Sequence, residues 1–268
     1  MCAGPTTLAA LRQAIGRIER GPLVETAAAG APVPLGDGRV DGLLGGGLVR
    51  GALHEVFSRT PADAATATAF AAGLTQRLSG ERTVLWIGQD FVAVEGGDLS
   101  GNGLAAIGLA PERLLFVRTP DAVAALKAAG EGLACAALGA VVIEPWGAPK
   151  LLDLSATRRL ALAAAKAEVP ALLLRVAAAP EPSAAETRWV VAAAPSPPGE
   201  AFGRPVFAAE LVRNRRGATG AWIMEWNADD RLFREPRPLG RPAHPRVAPA
   251  AALDRPGAAE GLARRAAG

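Results

Sequence analysis

The sequence predicts an α/β fold: a mainly parallel sheet flanked by helices, closed along one edge by antiparallel strands. Three observations carry this expectation. Short, almost continuously apolar runs alternate with helical stretches from Ala52 to Val176, which is how strands buried on both faces of a parallel sheet read. From Thr187 onward three strand-like segments follow one another with no helix between them. The chain has 268 residues, half of them hydrophobic, enough for one substantial core.

The elements are justified in chain order. Over residues 7–19, Leu8, Leu11, Ile15 and Ile18 fall on one stripe at helical spacing, and Gly21-Pro22 ends the helix. Residues 1–21 are therefore expected as an N-terminal amphipathic helix, packed on its own core or docked on another protein. Residues 22–37, rich in Gly, Pro and Ala, read as a linker. The main domain is expected over 38–234. Within it, strands are predicted at 52–57, 83–88, 113–118, 139–144 and 170–176, and helices at 61–79, 103–108, 120–137 and 154–168, with a Gly-rich loop at 96–103. Strands at 187–194, 205–213 and 220–227 then form the antiparallel edge, and Arg215 to Gly220 reads as a hairpin turn. Residues 235–268, without period and full of Pro, Ala, Arg and Gly, are expected to be disordered.

Composition narrows the function classes. Charged residues are 21% and the net charge is +3, too small an excess to imply nucleic-acid binding by itself. Arginine is concentrated at the end of the chain, at Arg234, Arg237, Arg241, Arg246, Arg255, Arg264 and Arg265. That tail is a docking segment or a solubilising end. Cys2 and Cys135 make neither a disulfide framework nor a zinc site, and Cys135 is expected as a small buried residue of an alanine-rich helix. No secretory signal and no membrane span are read, so a cytoplasmic location and no membrane partner are expected.

In such a sheet the ligand site lies at the carboxyl ends of the strands. A phosphate-binding loop needs glycines whose N–H groups wrap the phosphates, a lysine, and a Ser or Thr for magnesium. After the first strand stand Ser58, Arg59, Thr60, Pro61, Ala62, Asp63, Ala64 and Ala65, with neither glycine nor lysine. Thr60 suits an N-cap, Pro61 the first helical position and Asp63 the third. The Asp63 carboxylate then occupies the positive helix end that a phosphate would use. The expectation is no bound cofactor and no catalysis. The competing reading is a weak ATPase using Arg59 as its cation with Asp90 and Glu144, which otherwise count as solvated strand-end acids. His54 is expected as a hydrogen-bonded sheet residue. Trp146, on a strand-end loop, is a lid over the core or an interface anchor. Arg213, Arg215 and Arg216 are a solvated turn protecting an edge, or contacts to DNA phosphates or an acidic partner.

Several segments resemble known families. Gly45 to Val56 (GGGLVRGALHEV) is similar to the turn and strand that precede the phosphate loop in RecA-type cores. Trp86 to Asp90 resembles the strand whose end carries the catalytic acid, with Asp90 at that place, and Ala140 to Glu144 resembles the Walker B strand. Ile107-Gly108-Leu109 with Arg113 to Val117 resembles the turn into the third strand. In this matching the Walker A lysine and threonine fall on Ala64 and Ala65 and the glycine before them on Asp63. The GGGL and GALHEV motifs, VLWI at 84–87, RRLALAA at 158–164, TRWVVAAAPS at 187–196, ELVRNRRGATGAW at 210–222 and Glu225-Trp226 are more specifically similar to the ImuA family of RecA-like, SulA-related damage-inducible proteins. The resemblance implies a non-catalytic role in damage-induced mutagenesis and translesion synthesis. It implies as partners an ImuB-like homologue of Y-family polymerases and an error-prone replicative-type DNA polymerase, with RecA a partner of some members. A regulator of RecA filaments is a third reading, suggested by the N-terminal helix and linker.

Overall fold

The computed structural model describes residues 31–196 and 204–236. The N-terminal helix with Leu8, Leu11, Ile15 and Ile18, and the tail beyond residue 236, lie outside them. Helix α1 spans Gly38–Leu43, followed by β1 (Leu53–Ser58), α2 (Ala64–Ser79), β2 (Val84–Gln89), α3 (Asp90–Gly96) and α4 (Gly101–Ile107). Then come β3 (Leu114–Thr119), α5 (Ala122–Leu133), β4 (Ala140–Glu144), α6 (Leu154–Ala167) and β5 (Ala171–Arg175). Strands β6 (Thr187–Ala193), β7 (Val206–Asn214), β8 (Gly220–Asn227) and β9 (Leu232–Arg234) complete the described residues.

All strands form one sheet in the order β3-β2-β4-β5-β1-β6-β7-β8-β9. From β3 to β6 every pairing is parallel, and β7, β8 and β9 pair antiparallel, as the change of pattern after residue 187 predicts. Buried side chains alternate between the two faces because successive strand residues point oppositely. Val56, Trp86, Val142, Leu172, Leu174 and Trp189 pack under α2 in one apolar layer. Leu53, Leu85, Ile87, Val141, Ile143 and Leu173 form the other layer, with α5 and α6.

The α2 layer is centred on Phe70. Its ring lies 5.6 Å from Trp189, 5.4 Å from Phe207 and 5.1 Å from Phe233. Gly73, one turn along α2, lets Phe233 and Trp226 come close. A Cβ there would sit 2.9 Å from Phe233 Cζ and 3.2 Å from Trp226 Cε3. The Trp226 indole N–H donates to the Ile107 carbonyl at 2.9 Å, which fastens β8 to the end of α4.

The opposite face carries a buried polar cluster. The register places Arg188 beside Glu55, and Arg175 beside Phe57. Arg188 Nε donates to Glu55 Oε2 at 2.7 Å, and the Ser183 hydroxyl donates to the same oxygen at 2.9 Å. The guanidinium groups of Arg175 and Arg188 stand 5.4 and 5.5 Å from the Phe57 ring centre. Desolvation holds the Arg175 pKa below its ordinary value. His54 is fully buried between the Thr187 hydroxyl and the Val49 carbonyl, each 2.8 Å away, as its reading as a sheet residue expects. Burial lowers its pKa to about 4.

The structure corrects the sequence reading in three places. The linker expected over 22–37 does not extend to Asp37. Val33 bridges to Leu48, and Leu35 is fully buried. Gly47, at φ +131°, lies against the Val33 carbonyl where no side chain fits. Second, α3 occupies residues for which no helix was expected, between the strand at 83–88 and the Gly-rich loop, and β9 follows β8 where no strand was expected. Third, Cys135 is exposed in a turn, because α5 ends at Leu133 rather than at residue 137.

Candidate functional site

The loop after β1 is built as a helix start. Pro61–Asp63 form a 3-10 turn leading into α2, and Thr60 is extended. Asp63 is the hub. Its Oδ2 accepts the Thr60 N–H at 3.1 Å and the Thr60 hydroxyl at 2.7 Å. Its Oδ1 accepts the Ala193 N–H at 3.1 Å, from the end of β6. These bonds, the one to the Thr60 hydroxyl foremost, hold the Asp63 pKa below its usual value. The carboxylate therefore stays ionised at the amino end of α2, the charge sign that a helix dipole favours there. Arg59 is drawn sideways to Glu210 on β7, at 3.0 Å. Ser58 is buried, and its hydroxyl has no hydrogen-bond partner among the described residues.

Beside this loop a cavity of about 280 Å³ opens at the carboxyl ends of β2 and β4. Its walls come from the first turns of α2, from α3 and α4, and from Phe116 and Trp146. Glu144, expected as a solvated loop acid, is instead buried on this wall. It ends β4 on the α2 face, beside Trp86, whose indole N–H donates to Glu144 Oε2 at 2.9 Å. Loss of water outweighs that bond and raises the Glu144 pKa to about 7. Asp90 begins α3, is exposed, and lines the same cavity. The structure thus brings together Ala64, Ala65, Asp90, Glu144 and Trp146.

Trp146 takes the lid position expected of it. It packs on the core while lining the cavity. Its backbone N–H donates to Gln89 Oε1 at 3.1 Å, and its ring meets Phe91 edge-on at 5.4 Å. Sequence reasoning passed over Gln89, Phe91, Val94 and Phe116. The available signal was the pair of apolar residues Phe91 and Val94, one helical turn apart, directly before the Gly-rich stretch.

Arg213, Arg215 and Arg216 lie at the other end of the sheet, because β7 runs antiparallel to β6. Asn214 Nδ2 closes the turn by donating to the Ala218 carbonyl at 3.0 Å. Arg213 and Arg215 are half-buried, Arg215 N–H donates to the Glu186 carbonyl at 3.0 Å, and Arg216 is exposed. Among the described residues there is no group of three or more His, Cys, Asp or Glu placed to hold a metal ion, and no helix long and apolar enough to cross a membrane.

No protein-family profile matches the chain. It is 34% identical to Protein ImuA from two strains of Caulobacter vibrioides, the match covering 72% of this chain and 84% of the relative. The crystal structure of the RadB recombinase superposes with a TM-score of 0.51 at 16% identity, covering 76% of this chain and all of that one. The architecture is therefore the RecA-like α/β core that the strand order and the sequence motifs indicate.

Proposed function

The chain belongs to the ImuA family, and from that membership we propose that it is a non-catalytic accessory protein of DNA-damage-induced mutagenesis. In this reading it is a RecA-like body that bridges an ImuB-like polymerase homologue and an error-prone replicative-type DNA polymerase during translesion synthesis. The observation that carries it is the engagement of both Asp63 carboxylate oxygens at the amino end of α2. A triphosphate brought to this turn meets an anion, finds no lysine, and finds the nearest arginine paired with Glu210.

Two measurements test the proposal. Co-expression with an ImuB-like chain should yield a complex that survives gel filtration, and its absence defeats the bridging role. Calorimetric titration with ATP and magnesium should give no heat of binding. Tight, magnesium-dependent binding would favour the unconventional ATPase instead.

A further inference from the structure

The cavity at the ends of β2 and β4 is apolar far beyond what the Asp63 turn requires, and its surroundings are unevenly charged. Phe91 and Val94 on α3 are 45% and 74% exposed, and Phe116 stands at its wall 39% exposed. Large apolar side chains gathered at a cavity mouth are a common mark of an interaction site. The charges there are mainly negative. Asp90 and Asp98 line the cavity, Glu95 is exposed on α3, the lining arginine, Arg118, is paired with Asp98, and Glu144 is kept uncharged by burial.

We propose that this cavity receives a large apolar side chain from a short segment of a partner protein, with an arginine or lysine flanking that anchor. Volume and continuity support the anchor. About 280 Å³ holds one aromatic or long aliphatic side chain, and ligand cavities for whole small molecules start near this size. Phe91, packed on the lining Trp146, and Val94, one turn further along α3, are exposed beside it, a surface that a chain of residues covers and a single ring does not. Aromatic walls at Trp146 and Phe116, with Phe91 packed edge-on against Trp146, suit an anchor of the kind that dominates binding energy at protein interfaces. Charge complementarity sets the flank: the exposed carboxylates of Asp90, on the cavity lining, and of Glu95, on the same helix, favour a cation beside the anchor. An anionic ligand meets the opposite of what it needs.

The inference deepens the accessory-protein reading and rests on it for the source of the segment. The test uses overlapping 15-residue peptides spanning the ImuB-like chain and the error-prone polymerase, arrayed on a membrane and probed with the full-length protein. Binding is expected at peptides that combine a large apolar residue with a neighbouring Arg or Lys. Ala65→Trp, which fills the cavity, and Phe116→Asp, which breaks its aromatic wall, should each weaken those spots at least tenfold. Leu162→Asp, at an exposed position on α6, should leave them unchanged, and thermal melts verify that the variants fold. Spots that lack a cation, or that persist in both cavity variants, overturn the proposal, as does an array with no bound peptide. A complex seen by gel filtration together with a blank array rejects this site and leaves the accessory role standing. Loss of the complex with cavity-dependent spots does the reverse.

Discussion

The indole N–H of Trp86 donates to Glu144 Oε2 at 2.9 Å across neighbouring strands, a buried bond that joins the aromatic core to the floor of the cavity. This bond favours the carboxylate, but burial favours the acid more strongly and keeps the group protonated up to about pH 7. In the unfolded chain the same group titrates at 4.5. Between those values the folded state holds the extra proton, so stability falls as pH rises from 4.5 to 7.

His54 acts in the opposite sense. Its pKa of about 4 in the fold lies below 6.5 in the unfolded chain. The unfolded state binds the extra proton in that window, so stability rises from pH 4 to 6.5. The two contributions offset each other over most of their range. Glu144→Gln should remove one of them. The variant is expected to match the wild type at pH 4.5 and to exceed it above pH 7, by on the order of 2–3 kcal/mol. Denaturant titrations at intervals across this range measure the difference. A gap that does not change with pH would show that Glu144 is ionised in the fold.

Asp63→Ala should destabilise the protein by roughly 1 kcal/mol, the usual scale for a lost helix cap. The effect should shrink in acid, because a depressed carboxylate pKa gives stability that is present above the unfolded value and lost as pH falls through the folded one. Thermal melts at neutral and acid pH report this. Equal destabilisation at both would mean that the carboxylate charge contributes nothing.

Gly73→Ala places a methyl group against rings that cannot swing aside. Phe233 is held by Phe70 and Trp226, whose ring centres lie 5.1 and 4.8 Å away. Overpacking of this kind costs about 1–3 kcal/mol, more than the helix propensity gained by replacing glycine. A rise in melting temperature would contradict the close packing of α2 on β8 and β9.

Arg188→Met leaves Glu55 buried without its cation. Losing one member of a buried ion pair costs roughly 3–5 kcal/mol. The double variant Glu55→Leu with Arg188→Met should recover only part of that loss, because the buried Arg175 then loses the nearby Glu55 carboxylate. Urea denaturation of the two single variants and the double variant measures the coupling. Additive effects would show that the pair acts independently.

What could be read from sequence follows the physics of each element. The buried strands announced themselves because both their faces are apolar, as in Val84 to Ile87 and Ala171 to Leu174. The Thr60-Pro61-Asp63 helix start was legible because caps are local chemistry, although the Thr60 hydroxyl proves to donate to Asp63. Glu144 was misjudged because its burial depends on α2 and Trp86, and no pattern within β4 reveals them. Helix α3 was missed because its apolar residues Phe91 and Val94 face outward and mimic no core stripe. Strand β9 is only three residues long, and its place depends on pairing with β8.

The antiparallel turn that carries Arg216 and the cavity beneath Trp146 stand at opposite poles of the sheet, separated by the length of a strand, roughly 20 Å. A molecule held at one pole leaves the other uncovered. A segment seated in the cavity, as proposed above, leaves the exposed Arg216 turn open to a second contact.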